Sequence, residues 1–297
     1  MAFNEYAEER AFLVDNSNTA NTAKIYGRAY DKLVKNIGDK PVLISNADED
    51  FLIQTIKETS ENPETQATLL TIVFKLRANM PNSKLAVYRE VNKKDRQKRV
   101  MSRQADERVK YQGISYQNLL DFNETNYRNK NWIDWVINYL LLNYGVRNED
   151  LMLEITRHYN PAPDGEENKK NYLYVVNGSR IAYIRNSYKT ARTYGAQTIQ
   201  IKDKRFIRVV NEIMYNRKED FKLLGDIEPA GISQKIIRAT PYKLGEGQMF
   251  KILVGHYMKT DRDIKQLAEW RGTHISTIIN SYYRDEEMLQ EQKAKTL

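Results

Sequence analysis

The sequence predicts a mainly helical protein in two parts, the second of which carries one small antiparallel sheet. Three observations predict it. From residue 17 to residue 104 apolar side chains return at three- and four-residue steps, the helical repeat. Between 172 and 201 three short runs rich in Tyr, Val and Ile are separated by glycine-bearing turns, the pattern of paired strands. Between these regions, from 91 to 110, the chain becomes strongly basic and its apolar periodicity thins, which marks a boundary.

In the first part, Ser17 or Asn18 is placed to cap a helix reaching Lys35, with Ile25, Tyr26, Ala29, Tyr30, Leu33 and Val34 along one stripe; Gly38 and Pro41 end it. A second helix is expected over 48–59, with Leu52, Ile53 and Ile56 on one face. Asn62-Pro63 opens a third, whose Leu69, Leu70, Ile72, Val73, Phe74 and Leu76 make a broad apolar surface; Pro81 closes it, and a fourth begins near Lys84. Four such helices form a small bundle. In the second part, 132–144 is apolar and helical, 151–155 continues the core, and 161–170 is a polar loop. Strands are expected at 172–176, 181–184 and 198–201, with Gly178 and Gly195 in the turns, and helix returns after Lys204. The domains are therefore expected at 1–104 and 121–297, joined by a linker over 105–120.

The chain's 297 residues suffice for two separate cores. Its 47 Lys and Arg against 39 Asp and Glu leave a net charge of +8, a balance that suits a polyanionic partner. The absence of cysteine excludes disulfides, thiolate zinc sites and thiol catalysis. Of the three histidines, His158, His256 and His274, no two have the spacing of a helical metal site, so a transition-metal site is not expected. The polar, acidic N-terminus is unlike a signal peptide and no apolar run reaches membrane-spanning length. A soluble protein, intracellular or packaged in a virus particle, with no membrane partner is expected.

The basic window holds Lys93, Lys94, Arg96, Lys98, Arg99, Arg103, Arg108 and Lys110 against Asp95, Asp106 and Glu107. Two readings stay open: a solvated helix face with its linker, or a positive strap along duplex DNA. Phosphate contacts of the second kind supply affinity without reading sequence. Arg185 and Arg192, in the later β-rich region, join this set of candidate DNA contacts.

Cutting a phosphodiester without metal needs a nucleophile, cationic donors for the charge that builds on the phosphorane, and an acid for the leaving oxygen. Arginine clamps best, because its planar fork makes two parallel hydrogen bonds; lysine can clamp or serve as the acid. The second half of the chain carries these residue types in four segments, around Arg147, Lys189, Lys235 with Arg238, and Tyr282.

Those segments resemble the motifs of tyrosine recombinases, the phage-integrase and Xer-like family. Tyr144-Gly-Val-Arg147-Asn-Glu-Asp-Leu151 resembles the box of the first catalytic arginine, and 187–195 the β-hairpin whose turn carries the catalytic lysine, here Lys189. Lys235-Ile-Ile-Arg238 resembles the second box, usually His-x-x-Arg. The run 264–277, centred on Gly272, resembles the helix and turn before the nucleophile, which puts Tyr282 at the nucleophile's place. The N-terminal helices resemble the family's core-binding domain, through Asn21-Thr-Ala-Lys-Ile-Tyr26.

The sequence also departs from the pattern. Thr273 stands where the family has histidine, with His274 one place later, and Tyr283 adjoins Tyr282. The interval from Arg238 to Gly272 is long, implying an insertion over 243–248; an alignment without it places Phe250 at the second arginine. Arg238 is preferred, because 232–238 supplies both basic residues together.

The resemblance implies a helical core-binding domain followed by a mixed α/β catalytic domain, closing around double-stranded DNA and working as a synaptic tetramer. Tyr282 would form a 3′-phosphotyrosine, Arg147 and Arg238 would hold the non-bridging oxygens, and Lys189 would protonate the leaving oxygen. Lys235 and His274 would assist, with no cofactor, and the tail 284–297 would dock on a neighbouring subunit or stay unstructured. A recombinase-like protein retained for DNA binding or particle architecture, its chemistry lost, is the alternative.

Overall fold

The computed structural model describes residues 5–38, 42–77, 83–111, 113–160, 169–177, 179–215, 217 and 219–282. Expectations placed on Pro41, Pro81, Gly178, Tyr283, the tail 284–297, most of the 161–170 loop and the side chain of Arg108 lie outside them. The protein is mostly helical with a small five-stranded mixed sheet, and it divides into two compact units, Met1–Gln112 and Gly113–Leu297.

The first unit contains α1 (Tyr6–Asp15), α2 (Ala20–Ile37), α3 (Glu49–Thr59), α4 (Pro63–Leu76) and α5 (Lys84–Lys110). Local chemistry sets the starts: Thr19, Asp48 and Asn62 each accept a backbone N–H of the following first turn, and Pro63 needs no donor there. Leu33, Leu52, Ile56, Leu69, Ile72 and Val73 are wholly buried between these helices. Helix α1 is an addition to the expected four, and it brings an acid into the core. Glu9 is buried, accepting from Tyr30 Oη at 2.9 Å, Ile44 N at 3.2 Å and Ser45 N at 2.7 Å. A buried carboxylate is tolerable when its oxygens are bonded in this way. Helix α5 runs unbroken through the basic window to Lys110, so the first half-dozen residues of the expected linker are helix.

The second unit opens with α6 (Tyr116–Arg128) and α7 (Trp132–Tyr144). Strands β1 (Leu153–Thr156), β2 (Asn171–Asn177), β3 (Arg180–Arg185) and β4 (Gln197–Ile201) follow, with α8 (Ala191–Tyr194) between the last two. Helix α9 (Lys204–Met214), β5 (Phe221–Lys222), α10 (Pro229–Ala239), α11 (Glu246–Met258), α12 (Ile264–Arg271) and α13 (Ile275–Ser281) complete it. The sheet order is β4-β3-β2-β1-β5. The three expected strands pair antiparallel, but β1 lies parallel to β2 and β5 antiparallel to β1, which makes the sheet mixed. Four-residue β1 and two-residue β5 are too short to show alternation in sequence. Helix α7 is the core of the unit: Val136, Ile137 and Leu140 have no exposed surface, and α9, α10, α11 and α12 all pack on it.

Candidate functional site

Helix α7 ends at Gly145, whose φ of +58° turns the chain sharply toward Arg147; a Cβ there would also lie 2.6 Å from the Phe250 ring. Arg147 then leads a short 3-10 helix, Asn148–Leu151, its backbone N–H donating to Asp150 Oδ2 at 2.8 Å. Asp150 is completely buried and its Oδ2 also accepts Arg185 Nη2 at 2.6 Å. Asp150 thus ties the Arg147 segment to the end of β3.

The C-terminal end of α12 is the second half of the site. A helix leaves its last carbonyls without partners inside the helix and concentrates negative dipole there. Here four successive carbonyls are met by side-chain donors from elsewhere in the unit. Gln197 Nε2 donates to Glu269 O at 3.0 Å, and Arg185 Nη1 to Trp270 O. Arg147 Nη1 donates to Arg271 O at 2.6 Å, and Thr190 Oγ1 to Gly272 O at 2.6 Å. Gly272, with φ of +61°, has room for no Cβ, since one would lie 2.6 Å from the Tyr188 ring. From this anchored turn the chain enters α13, which delivers Tyr282 at its end.

Arg271 is itself buried. Its guanidinium donates to Gly145 O at 2.5 Å and Val146 O at 3.0 Å, pairs with Glu246, and lies 3.9 Å over the Phe250 ring. The Phe250 ring meets Tyr282 edge to face, with centroids 4.8 Å apart, and Arg271 lies 5.6 Å from the Tyr282 ring centre. Burial pulls the Arg147 guanidinium below its ordinary value, and the positive charge of Arg271 adds to this; Asp150 and Tyr282 act in the opposite sense. Arg147, Arg271, Arg185, Asp150 and Tyr282 therefore form one electrostatic cluster around a half-buried cation.

Lys189 is exposed beside this cluster, between Tyr188 and the anchored Thr190. It lines a cleft of ≈ 680 Å³ together with Asn148, Glu149, Lys169, Lys222 and Ser233. Lys170 and Lys222 also face this cleft but pair with Glu154 at 3.1 Å and Asp226 at 2.6 Å.

Other candidates fall elsewhere. Arg185 is not a DNA contact: it has no exposed surface, pairs with Asp150 and stacks 4.4 Å from the Tyr188 ring centre. Arg238 is exposed on α10 and makes no hydrogen bond or ion pair among the described residues. The α10 residue that bonds the Arg147 segment is Ser233, to Asn148 Nδ2 at 3.0 Å; Arg238 projects about 140° around the helix from it. Lys235 donates to Leu224 O at 2.7 Å. Helix α11 starts at Glu246, so 246–248 are its first turn, and it is this helix that sets Phe250 against Tyr282. His274 caps α13, its Nδ1 accepting Ser276 N at 3.3 Å, which occupies one ring nitrogen. Arg192 is exposed on α8.

In the first unit, Lys93, Lys94, Lys98, Arg99 and Arg103 are exposed on α5, with Arg96 half-buried. Arg96 is held by Glu64 at 2.9 Å, and Arg99 bonds Asn62 at 3.1 Å. Glu246 and Arg271 are not singled out by the sequence, whereas Asp150 stands there as a neighbour that could pair with Arg147. The one signal for Arg271 is a cation in the last turn of a helix, directly before a glycine, where a solvated cap is the ordinary outcome. Among the described residues no cluster of His, Asp and Glu could hold a metal, and no helix is long and apolar enough to cross a membrane.

No protein-family model and no curated protein matches the sequence. Among solved structures, the crystal structure of XerA recombinase matches over 98% of this chain and 98% of its own, at 12% identity and a TM-score of 0.39. A likeness that distant says nothing of the site's chemistry.

Proposed function

We propose that the chain binds duplex DNA as a tyrosine-recombinase-like protein in which the strand-cleavage site has lost its second arginine clamp. Support comes from the order of the Arg147, Lys189, Gly272 and Tyr282 motifs, and from the cluster that joins Arg147 to Tyr282 across the end of α12. The observation that carries the reading is Phe250, whose ring lies against Tyr282 where the uninterrupted alignment expects a guanidinium. Arg271 is no substitute, because it is buried with its Nη1 committed to Gly145 O and Val146 O and its Nη2 to Glu246.

In an intact site two guanidinium groups share the charge of the phosphorane. Here Arg147 acts alone, with one of its own donors committed to Arg271 O. Loss of a single preorganised donor of this type slows a reaction by about 10²–10³. Lys189 stands on the rim of the adjoining cleft, free to contact a phosphate or to protonate a leaving oxygen. The protein thus keeps the means to hold a backbone phosphate and lacks much of the means to cleave beside it.

The test is incubation with nicked suicide duplexes carrying candidate sites, followed by denaturing electrophoresis. Salt-sensitive DNA binding without an SDS-resistant adduct is expected. An adduct abolished by Tyr282→Phe would establish the second reading, a working recombinase acting through a 3′-phosphotyrosine, which the electrostatic contact of Arg147 with Tyr282 favours. Loss of the adduct in Tyr283→Phe instead would move the nucleophile by one residue. Assembly into a tetramer belongs to the same proposal and is read by sedimentation with and without DNA.

A further inference from the structure

We propose that the turn between α10 and α11 is a nucleic-acid contact in which Tyr242 stacks on an unpaired base and Lys243 holds the neighbouring phosphate. The turn runs from Pro241 to Leu244 and is closed by Leu244 N–H donating to Pro241 O at 3.0 Å. Both central residues have positive φ, +56° at Tyr242 and +54° at Lys243. That is the pattern of a type I′ turn, whose central positions belong to Gly, Asn and Asp because a bulky side chain is strained there. Among the described residues the one other non-glycine with positive φ is Lys130, at a helix end where a left-handed residue is ordinary.

The strain persists because the flanks are immobilised. Leu244 and Pro241 are buried, Thr240 Oγ1 donates to Leu244 O at 2.5 Å, and Asn138 in the middle of α7 donates to Ala239 O at 2.7 Å. The result is an aromatic ring held out from a rigid support: Tyr242 is 57% exposed, Lys243 next to it in the chain is exposed, and so is Arg238 four residues before it. Burial in the protein does not explain the ring, and a strained, conformationally committed residue is the kind retained for a contact. An aromatic face flanked by cations suits a base with its phosphate, since every base offers a π-face and stacking tolerates any sequence. A paired base within a stack offers no free face, so the target is a base exposed at a bulge or nick.

This inference rests on the DNA-binding reading above. The full chain is titrated with two duplexes of equal length, one fully paired and one with a single bulged 2-aminopurine. Tighter binding to the bulged duplex, by about tenfold, and quenched 2-aminopurine fluorescence are expected. Tyr242→Gly should remove both the preference and the quenching while leaving the unfolding midpoint equal or higher, because glycine relieves the turn. Tyr242→Phe should keep both, and Lys243→Ala should weaken binding to both duplexes. Salt-dependent binding to the paired duplex with no preference for the bulge, or a preference that survives Tyr242→Gly, would overturn this inference alone. No binding to either duplex would overturn it together with the DNA-binding reading.

Discussion

The Arg147 guanidinium donates through Nη1 to the carbonyl oxygen of Arg271 at 2.6 Å, joining two segments 124 residues apart in the chain. Arg147 is thereby a helix cap as well as the leading candidate for phosphate binding. Arg147→Ala should leave the Arg271 carbonyl without its partner and cost about 1–3 kcal/mol in a urea titration. The same variant should weaken DNA binding beyond any effect on the folded fraction; unchanged affinity at full folding would leave Arg147 with a structural role alone.

Asp150 and Arg185 make a salt bridge with neither side chain exposed. Removing one partner leaves an uncompensated buried charge, so Arg185→Met or Asp150→Asn should each cost about 3–5 kcal/mol, and the double variant less than the two together. DNA affinity of the folded fraction should change little in the double variant. A large, salt-dependent loss there would restore Arg185 as a phosphate contact.

Phe250 and Arg271 stack with 3.9 Å between the guanidinium carbon and the ring centre. Exchanging the roles, Phe250→Arg with Arg271→Leu, puts a guanidinium beside Tyr282 and an apolar residue under Gly145. A Tyr282-dependent adduct absent from the parent protein is expected on suicide duplexes. Its absence in a variant that folds and binds DNA would mean that more than the second clamp is missing.

On α5, Lys94 and Arg103 are exposed and have no ion-pair partner among the described residues, whereas Arg96 lies 2.9 Å from Glu64. If this face meets DNA, Lys94→Ala and Arg103→Ala should each reduce the slope of log affinity against log salt by about one. Arg96→Ala should reduce it less, because its charge is already countered. Equal slopes in all three variants would return α5 to a merely solvated face.

His256 stacks on Tyr116 with ring centroids 4.1 Å apart, and burial, helped by the Arg262 charge, holds it below its ordinary 6.5. The folded protein therefore takes up this proton less readily than the unfolded chain. The stability it contributes is present above pH 6.5 and is lost as pH falls toward the folded-state value. Unfolding midpoints measured from pH 7.5 to 5 should decline, and His256→Phe should flatten that decline.

Much of the fold is legible in the sequence wherever the signal is local. Asn62-Pro63 marks the start of α4, the apolar run from Trp132 to Tyr144 is α7, and Gly145 and Gly272 sit where the chain needs a positive φ. Helix α1 is harder to see because its polar residues include Glu9, which is buried by partners from two other segments. Strands β1 and β5 escape because so few residues carry no period.

The sequence by itself determined α2 to α5, α7, the return to helix after Lys204 and three of the strands, together with the break in charge near residue 100 and the spacing that runs from Arg147 through Gly272 to Tyr282. Periodicity and turn chemistry act over a few residues, so a linear reading captures them. Tertiary structure alone decided which cations face inward. Arg185 and Arg271 look like surface residues in the chain, yet each is drawn inside by a carboxylate and by carbonyls at helix ends, contributed by residues 25 to 126 positions away. Phe250 prevails over Arg238 beside Tyr282 for the same reason: α11 packs on α7 and α12, while the face of α10 that carries Arg238 is left to solvent. Charge is written in composition, but its desolvation depends on what the rest of the chain packs around it.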